Sequence, residues 1–133
     1  MAGDTPLSTV PLQRGIVFFA HGSRDPRWSL PIEAVAQQLQ DQHPQALCSC
    51  AYLQLMAPDL PTATQALGDQ GCTHITVLPM FLGMGKHARV DLPAIVQALQ
   101  SQHPQLQLHI ATPVGEDPRV TQLLAEIAAQ HLT

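Results

Sequence analysis

The sequence predicts an α/β fold: a single domain built on a four-stranded parallel sheet with helices on both faces. Three observations carry that prediction. Two short apolar runs, Gly15 to Ala20 and Ile75 to Pro79, are rich in β-branched and aromatic residues and end in glycine-containing loops, as strands buried on both faces do. Strand-like and helix-like segments alternate four times, which is the pattern of parallel strands joined by right-handed crossovers. The chain has 133 residues, a usual size for one domain, and 45% apolar residues are enough for one sizeable core.

The elements follow in order. Residues 1–14 are an N-terminal arm with two prolines and no apolar run long enough for a signal peptide or a membrane helix, and residues 15–133 form the domain. The first strand ends at Ala20. After it, Leu30, Ile32, Val35, Ala36 and Leu39 keep helical spacing, with Ser29 as N-cap and Pro31 in the first turn. Leu47 to Gln54 is the second strand, with the small and polar residues of an edge. Leu60, Ala63, Ala66 and Leu67 mark a second helix, stopped near Gly68 and Gly71. A long loop, Met80 to Arg89, follows the third strand, and a third helix is expected from Leu92, Ile95, Val96 and Leu99, with Asp91 as its N-cap and Pro93 in its first turn. Leu106, Leu108 and Ile110 alternate with Gln107 and His109, as in an edge strand with one wet face. Val120, Leu123, Leu124, Ile127 and Ala128 give the last helix. Both helix stops before strands read alike, Gln40-Asp41-Gln42-His43-Pro44-Gln45 and Gln100-Ser101-Gln102-His103-Pro104-Gln105, and the shared proline explains the echo.

Charge narrows the function. A formal charge of −4 argues against a nucleic-acid partner. Of the six cationic residues, Arg24, Arg27, Lys86, Arg89 and Arg119 fall in the loops after strands one, three and four, and only Arg14 lies elsewhere. An acidic protein that gathers its cations on one edge of the sheet is presenting them to an anionic ligand. Cys48 and Cys50 share a strand face, Cys72 precedes a strand, and no CxxC spacing occurs; three reduced thiols imply a reducing compartment, hence the cytoplasm.

Seven histidines are present, and two stand apart. His21 caps the first strand and His87 follows the third, so in a parallel sheet both emerge at the carboxyl end, where ligands bind. A neutral imidazole is a transition-metal ligand and a base active near neutral pH, so the pair reads as a metal or proton-transfer site. His43 and His103 belong to the opposite end. His74, His109 and His131 have no chemical neighbour and are expected at the surface.

His21-Gly22-Ser23-Arg24-Asp25-Pro26 after a buried strand, Leu78-Pro79-Met80-Phe81-Leu82-Gly83-Met84-Gly85-Lys86-His87, and Asp91-Leu92-Pro93 together resemble the small sirohydrochlorin chelatases of the CbiX type, as does Ala51 to Leu60. The resemblance covers about residues 14 to 131. It implies half of a class II chelatase, paired with a second copy as a homodimer. It also implies a divalent metal (cobalt first, otherwise iron or nickel) as substrate, with no permanent cofactor; the cysteine cluster seen in some relatives is lacking here, so no iron–sulfur centre is expected. His21 and His87 would hold the metal and take up pyrrole protons. Ser23, Arg24, Arg27, Lys86, Arg89 and Arg119 would meet the carboxylates of sirohydrochlorin, and Phe81 and Met84 its macrocycle. One departure stands out: relatives often carry a glutamate where this chain has Gln54, and an amide is the weaker metal ligand and no base. Two rival readings keep the same loops, a non-catalytic metal or tetrapyrrole carrier and a phosphate-handling enzyme with His21 as nucleophile.

Overall fold

In the computed structural model, which describes residues 11–133, strand β1 (Arg14–Ala20) lies between β2 (Leu47–Tyr52) and β3 (His74–Pro79), and β4 (Gln107–Ile110) completes the sheet in the order β2-β1-β3-β4. All three pairings are parallel. The helices are α1 (Leu30–Gln42), α2 (Leu60–Asp69), α3 (Lys86–Gln102) and α4 (Pro118–Ala129). The four-stranded parallel α/β architecture is thus the one expected. Of the N-terminal arm, residues 1–10 lie outside the described residues; Arg14 already belongs to β1, and Gln13 is tied to Thr73 by backbone and hydroxyl hydrogen bonds. Among the described residues, no helix is long and apolar enough to cross a membrane.

One face of the sheet carries most of the core. Val17, Phe19, Ala51, Ile75 and Val77 pack there against Leu60, Ala63 and Leu67 of α2 and Leu92, Val96 and Leu99 of α3. The other face is only half covered. In β3 the burial alternates residue by residue, with Ile75, Val77 and Pro79 buried and His74, Thr76 and Leu78 partly exposed, although a central parallel strand is normally buried on both sides. Neither α1 nor α4 contains a buried residue. α4 rests mainly on the short 3₁₀ turns at its two ends (Val114–Glu116 and Gln130–Leu132), and it exposes Leu123, Leu124 and Ile127.

Two boundaries, the end of β2 and the start of α3, differ from expectation, each for a local reason. β2 ends at Tyr52 rather than Gln54, because the chain turns away through Leu55, whose φ is 69°. α2 stops at Asp69, between Gly68 and Gly71 as expected, and the chain takes its left-handed turn at Gly71, φ 102°. Ser29 holds the N-cap position of α1 as expected, but its hydroxyl donates to Glu33 Oε2 at 2.6 Å and accepts from no backbone N–H of the helix. The largest correction concerns α3, which starts at Lys86 and not after Asp91, so that Lys86, His87 and Arg89 stand on a helix rather than in a loop. Ala88, Leu92, Val96 and Leu99 form one buried stripe along it. Burying side chains of this size at about 1.5–3 kcal/mol each outweighs the roughly 3 kcal/mol cost of Pro93 inside the helix.

The repeated helix stops share more than a proline. Gln40 donates from Nε2 to the carbonyls of Pro44 (2.9 Å) and Ala46 (3.0 Å), and Gln100 donates to those of His103 (3.2 Å) and Leu106 (2.6 Å). Gln100 Oε1 also accepts from Leu108 N at 2.9 Å. In both places a glutamine in the last turn clamps the chain that leads into the next strand. Replacing Gln100 by alanine leaves partly buried backbone groups unpaired, so Gln100→Ala should lower stability by about 1–3 kcal/mol in urea unfolding, more than Gln40→Ala, whose Oε1 accepts only a weak thiol bond from Cys48 at 3.7 Å and no backbone N–H. Equal losses would show that the proline alone sets the stop.

Candidate active site

His21 is the first residue beyond β1, and a close approach of two loops fixes it there. Past the end of the sheet the chains stay zipped: Leu53 N donates to Ala20 O (2.9 Å) and Gln54 N to His21 O (3.2 Å). Gly22, with φ 98°, lies so near this segment that a Cβ on it would stand 1.8 Å from the Gln54 carbonyl oxygen. Only glycine fits such a position. The turn at Leu55 follows, and the Gln54 side chain ends with its Nε2 3.3 Å from His21 Nε2. The amide nitrogen can donate to this ring nitrogen when the imidazole carries its proton on Nδ1. Phe81 closes the far side, edge-on to the imidazole with ring centroids 6.4 Å apart, and is itself edge-on to buried Phe19 at 6.3 Å.

His87 comes from the opposite wall. Gly85, in extended conformation, starts α3, and His87 is exposed in the first turn. A cavity of about 420 Å³ opens between the walls, lined by His21, Leu53, Gln54, His87 and Asp91. It lies over the carboxyl ends of β1 and β3, the point where successive connections leave the sheet in opposite directions and where ligands enter folds of this topology. A larger hollow of about 540 Å³ sits at the other end among Arg14, His43 and Pro44, but its walls are mostly helix-stop and strand-start residues. His43 and His103 are at that end, each following the last residue of its helix.

The remaining residues fall outside the cavity wall. Ser23 Oγ accepts from Asp25 N, and Asp25 Oδ1 from Arg27 N, so both side chains shape the turn that leads into the 3₁₀ segment Pro26–Ser29. Arg24 and Arg27 are exposed on this turn, which Trp28 anchors edge-on to Tyr52 at 6.3 Å. Lys86 and Arg89 are exposed at the start of α3, where cations oppose the helix dipole and no acidic residue offsets them. Arg119 is engaged with Asp117, donating from Nε at 3.0 Å and Nη2 at 2.6 Å; these bonds hold the Asp117 carboxyl at about 2, far below its ordinary value. Phe81 and Met84 pack against the core. The three thiols are free, Cys72 buried and Cys48 and Cys50 partly so, and burial pushes all three above the ordinary thiol range, which makes them poor nucleophiles.

Among the described residues, no three His, Cys, Asp or Glu side chains converge closely enough to hold a metal ion. The site therefore offers two separate imidazoles across a cavity, each able to ligate a transition metal or accept a proton. Asp91 is the residue that sequence reasoning missed. Its spacing of four from His87 puts both on one helix face, a signal visible only once the helix is known to begin at Lys86.

Topology and site together define a doubly wound α/β domain with a paired-histidine cavity at its switch point. The CbiX family model matches residues 15–131, and the chain belongs to the CbiX family. A sirohydrochlorin cobaltochelatase of Sulfolobus acidocaldarius is 26% identical over 119 residues, covering 90% of this chain and 93% of the relative. A sirohydrochlorin ferrochelatase of Priestia megaterium is 25% identical over 111 residues, 84% of this chain, but this chain spans only 42% of that relative's length. The crystal structure of a CbiX protein from Marinobacter aquaeolei VT8 superposes with a TM-score of 0.79 at 31% identity, covering 90% of this chain and 97% of that one.

The Gly22 contact supplies a test of how the site is held. Gly22→Ala forces apart the two loops that place His21 beside Gln54, and the variant should lose on the order of 2–4 kcal/mol in thermal or urea unfolding. Gly83→Ala, where an added Cβ meets nothing within 4 Å, is the control and should stay near wild type. Equal stability of the two variants would mean that the loops can separate freely.

Proposed function

We propose that the chain is a sirohydrochlorin chelatase that inserts a divalent metal into the tetrapyrrole, with cobalt as the metal. The observation that carries this reading is the placement of His21 and His87 on opposite walls of one cavity at the sheet's switch point. Cobalt is favoured because the Sulfolobus acidocaldarius relative, which this chain matches over 93% of its length, is named a cobaltochelatase, whereas the ferrochelatase of Priestia megaterium is more than twice as long. Gln54 in place of a carboxylate distinguishes this site further and leaves metal capture to nitrogen donors.

Insertion exchanges two pyrrole N–H protons for one divalent cation, so the site must deliver the metal and remove two protons. His21 and His87 can each do either task, and their separation lets one imidazole hold the metal while the other accepts a proton. The metal reaches His21 Nε2 by displacing the Gln54 amide, a single neutral hydrogen bond worth about 1 kcal/mol. Arg24, Arg27, Lys86 and Arg89 form the rim that meets the carboxylates of sirohydrochlorin; the unfavourable siting of Lys86 and Arg89 at a helix N-terminus is a cost that an anionic substrate offsets. Arg119, occupied by Asp117, is the weakest candidate among these cations.

A cavity of about 420 Å³ in one chain cannot enclose a macrocycle with eight carboxylates, and the fold supports a two-fold homodimer that completes it. α4 exposes Leu123, Leu124 and Ile127 along one side. The half-covered sheet face offers the complement, a hollow of about 450 Å³ floored by Ile16, Phe18 and Leu78 and flanked by Val35 and Leu39. We place α4 of each copy on that face of the other. In sedimentation velocity at micromolar concentration the wild type should be a dimer, and Leu124→Glu with Ile127→Glu should shift it to monomer and remove activity. A fully active wild-type monomer would overturn this assembly.

The functional reading rests on the histidines. His21 and His87 are exposed, so His21→Ala and His87→Ala should change stability by no more than about 1 kcal/mol. Cobalt insertion, followed by the macrocycle's absorbance with substoichiometric protein, should fall at least about a hundredfold in each. His43→Ala and His103→Ala should insert at the wild-type rate. Wild-type protein that binds cobalt and sirohydrochlorin without turnover would make it a carrier, and hydrolysis of a phosphomonoester would assign the histidines to phosphate chemistry.

A further inference from the structure

We propose that Asp91 is the entry carboxylate of the metal path, drawing the divalent cation across a basic rim to the two histidines; this rests on the chelatase reading. Asp91 is the one carboxylate on the wall of the cavity that His21 and His87 share. With α3 starting at Lys86 it caps nothing, and among the described residues it makes no side-chain ion pair. It stands one helical turn beyond His87, so the two side chains lie on the same face.

The need for such a group follows from the charges around it. The outer rim carries Arg24, Arg27, Lys86 and Arg89, which attract a polyanionic tetrapyrrole and repel a dication equally well. The inner wall, with Leu53, Gln54 and two imidazoles, has no negative charge to compensate. One exposed carboxylate at the cavity raises the local concentration of cation without competing for the tetrapyrrole, whose own carboxylates it repels. Recruitment of this kind acts on the metal, falls with ionic strength, and does not require Asp91 to be a ligand in the inserting complex. Asp91 is in this sense a positioning residue.

Three proteins test the assignment: wild type, Asp91→Asn and Asp91→Glu. Initial insertion rates are measured against cobalt at saturating sirohydrochlorin and against sirohydrochlorin at saturating cobalt, each at low and at high salt. Asp91→Asn should raise the KM for cobalt about tenfold at low salt, leave kcat and the KM for sirohydrochlorin near wild type, and converge with wild type at high salt. Asp91→Glu should restore the cobalt KM to within a few-fold. Cobalt titration of the tetrapyrrole-free proteins, read by the cobalt absorption band, keeps the question separate from turnover. If wild type inserts no metal, the chelatase reading fails, yet a several-fold weaker cobalt affinity in Asp91→Asn would still support the recruiting role. Unchanged cobalt KM and cobalt affinity in Asp91→Asn would overturn it, as would a loss confined to the sirohydrochlorin KM.

Discussion

The pairing of β1 on both its edges is the constraint from which the site follows. Because β1 is held by β2 on one side and β3 on the other, its carboxyl end is fixed in three dimensions, and His21 leaves the sheet at a defined point. The pairing with β2 outlasts the strand: two further backbone hydrogen bonds carry it to Gln54. That extension is possible only where the backbones can come together, which is why Gly22 sits at the crossing. Secondary structure, a left-handed glycine and the contact between His21 and Gln54 are thus one chain of causes. A rigid scaffold of this kind suits chemistry in which an imidazole must wait for a ligand in a set orientation.

A second close contact does similar work on the far wall. Gly115 N donates to Phe81 O at 2.9 Å, and a Cβ on Gly115 would lie 2.0 Å from the Leu82 carbonyl oxygen. The loop between β3 and α3 is therefore pressed against the turn that precedes α4. Phe81, held there, touches both the core through Phe19 and the site through His21. The same press sets where α4 departs. A helix that starts at this point rests on its flanking turns and leaves its own sheet face open, so the geometry that steadies the site also leaves apolar surface to be covered from outside.

Most of the fold was legible in the sequence because the signals were local and mutually consistent: apolar β-branched runs for β1 and β3, alternation for β4, and helical spacing of apolar residues for α1, α2 and α4. The start of α3 was not legible. Pro93 reads as a first-turn residue, and Asp91 as a cap, when propensity is considered alone; the stripe from Ala88 to Leu99 wins because tertiary burial exceeds the local cost. That single shift hid Asp91 from the site. Of the residues that motif and charge suggested, His21 and His87 line the cavity, while Ser23 is spent on a turn, Arg119 on its own helix cap, and Phe81 and Met84 on packing. No pattern of sequence spacing distinguishes an arginine that waits for a ligand from one already paired with a neighbour two residues away.

Under the proposed chelatase reading, the distribution of charge around the site would let few charges serve two substrates of opposite sign. A dication and a polyanion would have to occupy one region in turn, and a uniformly basic or acidic surface would exclude one of them. Cations on the loop after β1 and on the first turn of α3 do not line the cavity; its wall is formed by Leu53, Gln54 and the two histidines and carries one carboxylate, Asp91. A glutamate at position 54 would place a second negative charge 3.3 Å from His21, where it would bind the incoming metal more tightly and slow its release to the macrocycle. An amide there would instead leave the imidazole with a contact weak enough to be displaced. In the proposed reading, the metal would be attracted at Asp91, held by the imidazole nitrogens, and passed on to the four nitrogens of the macrocycle.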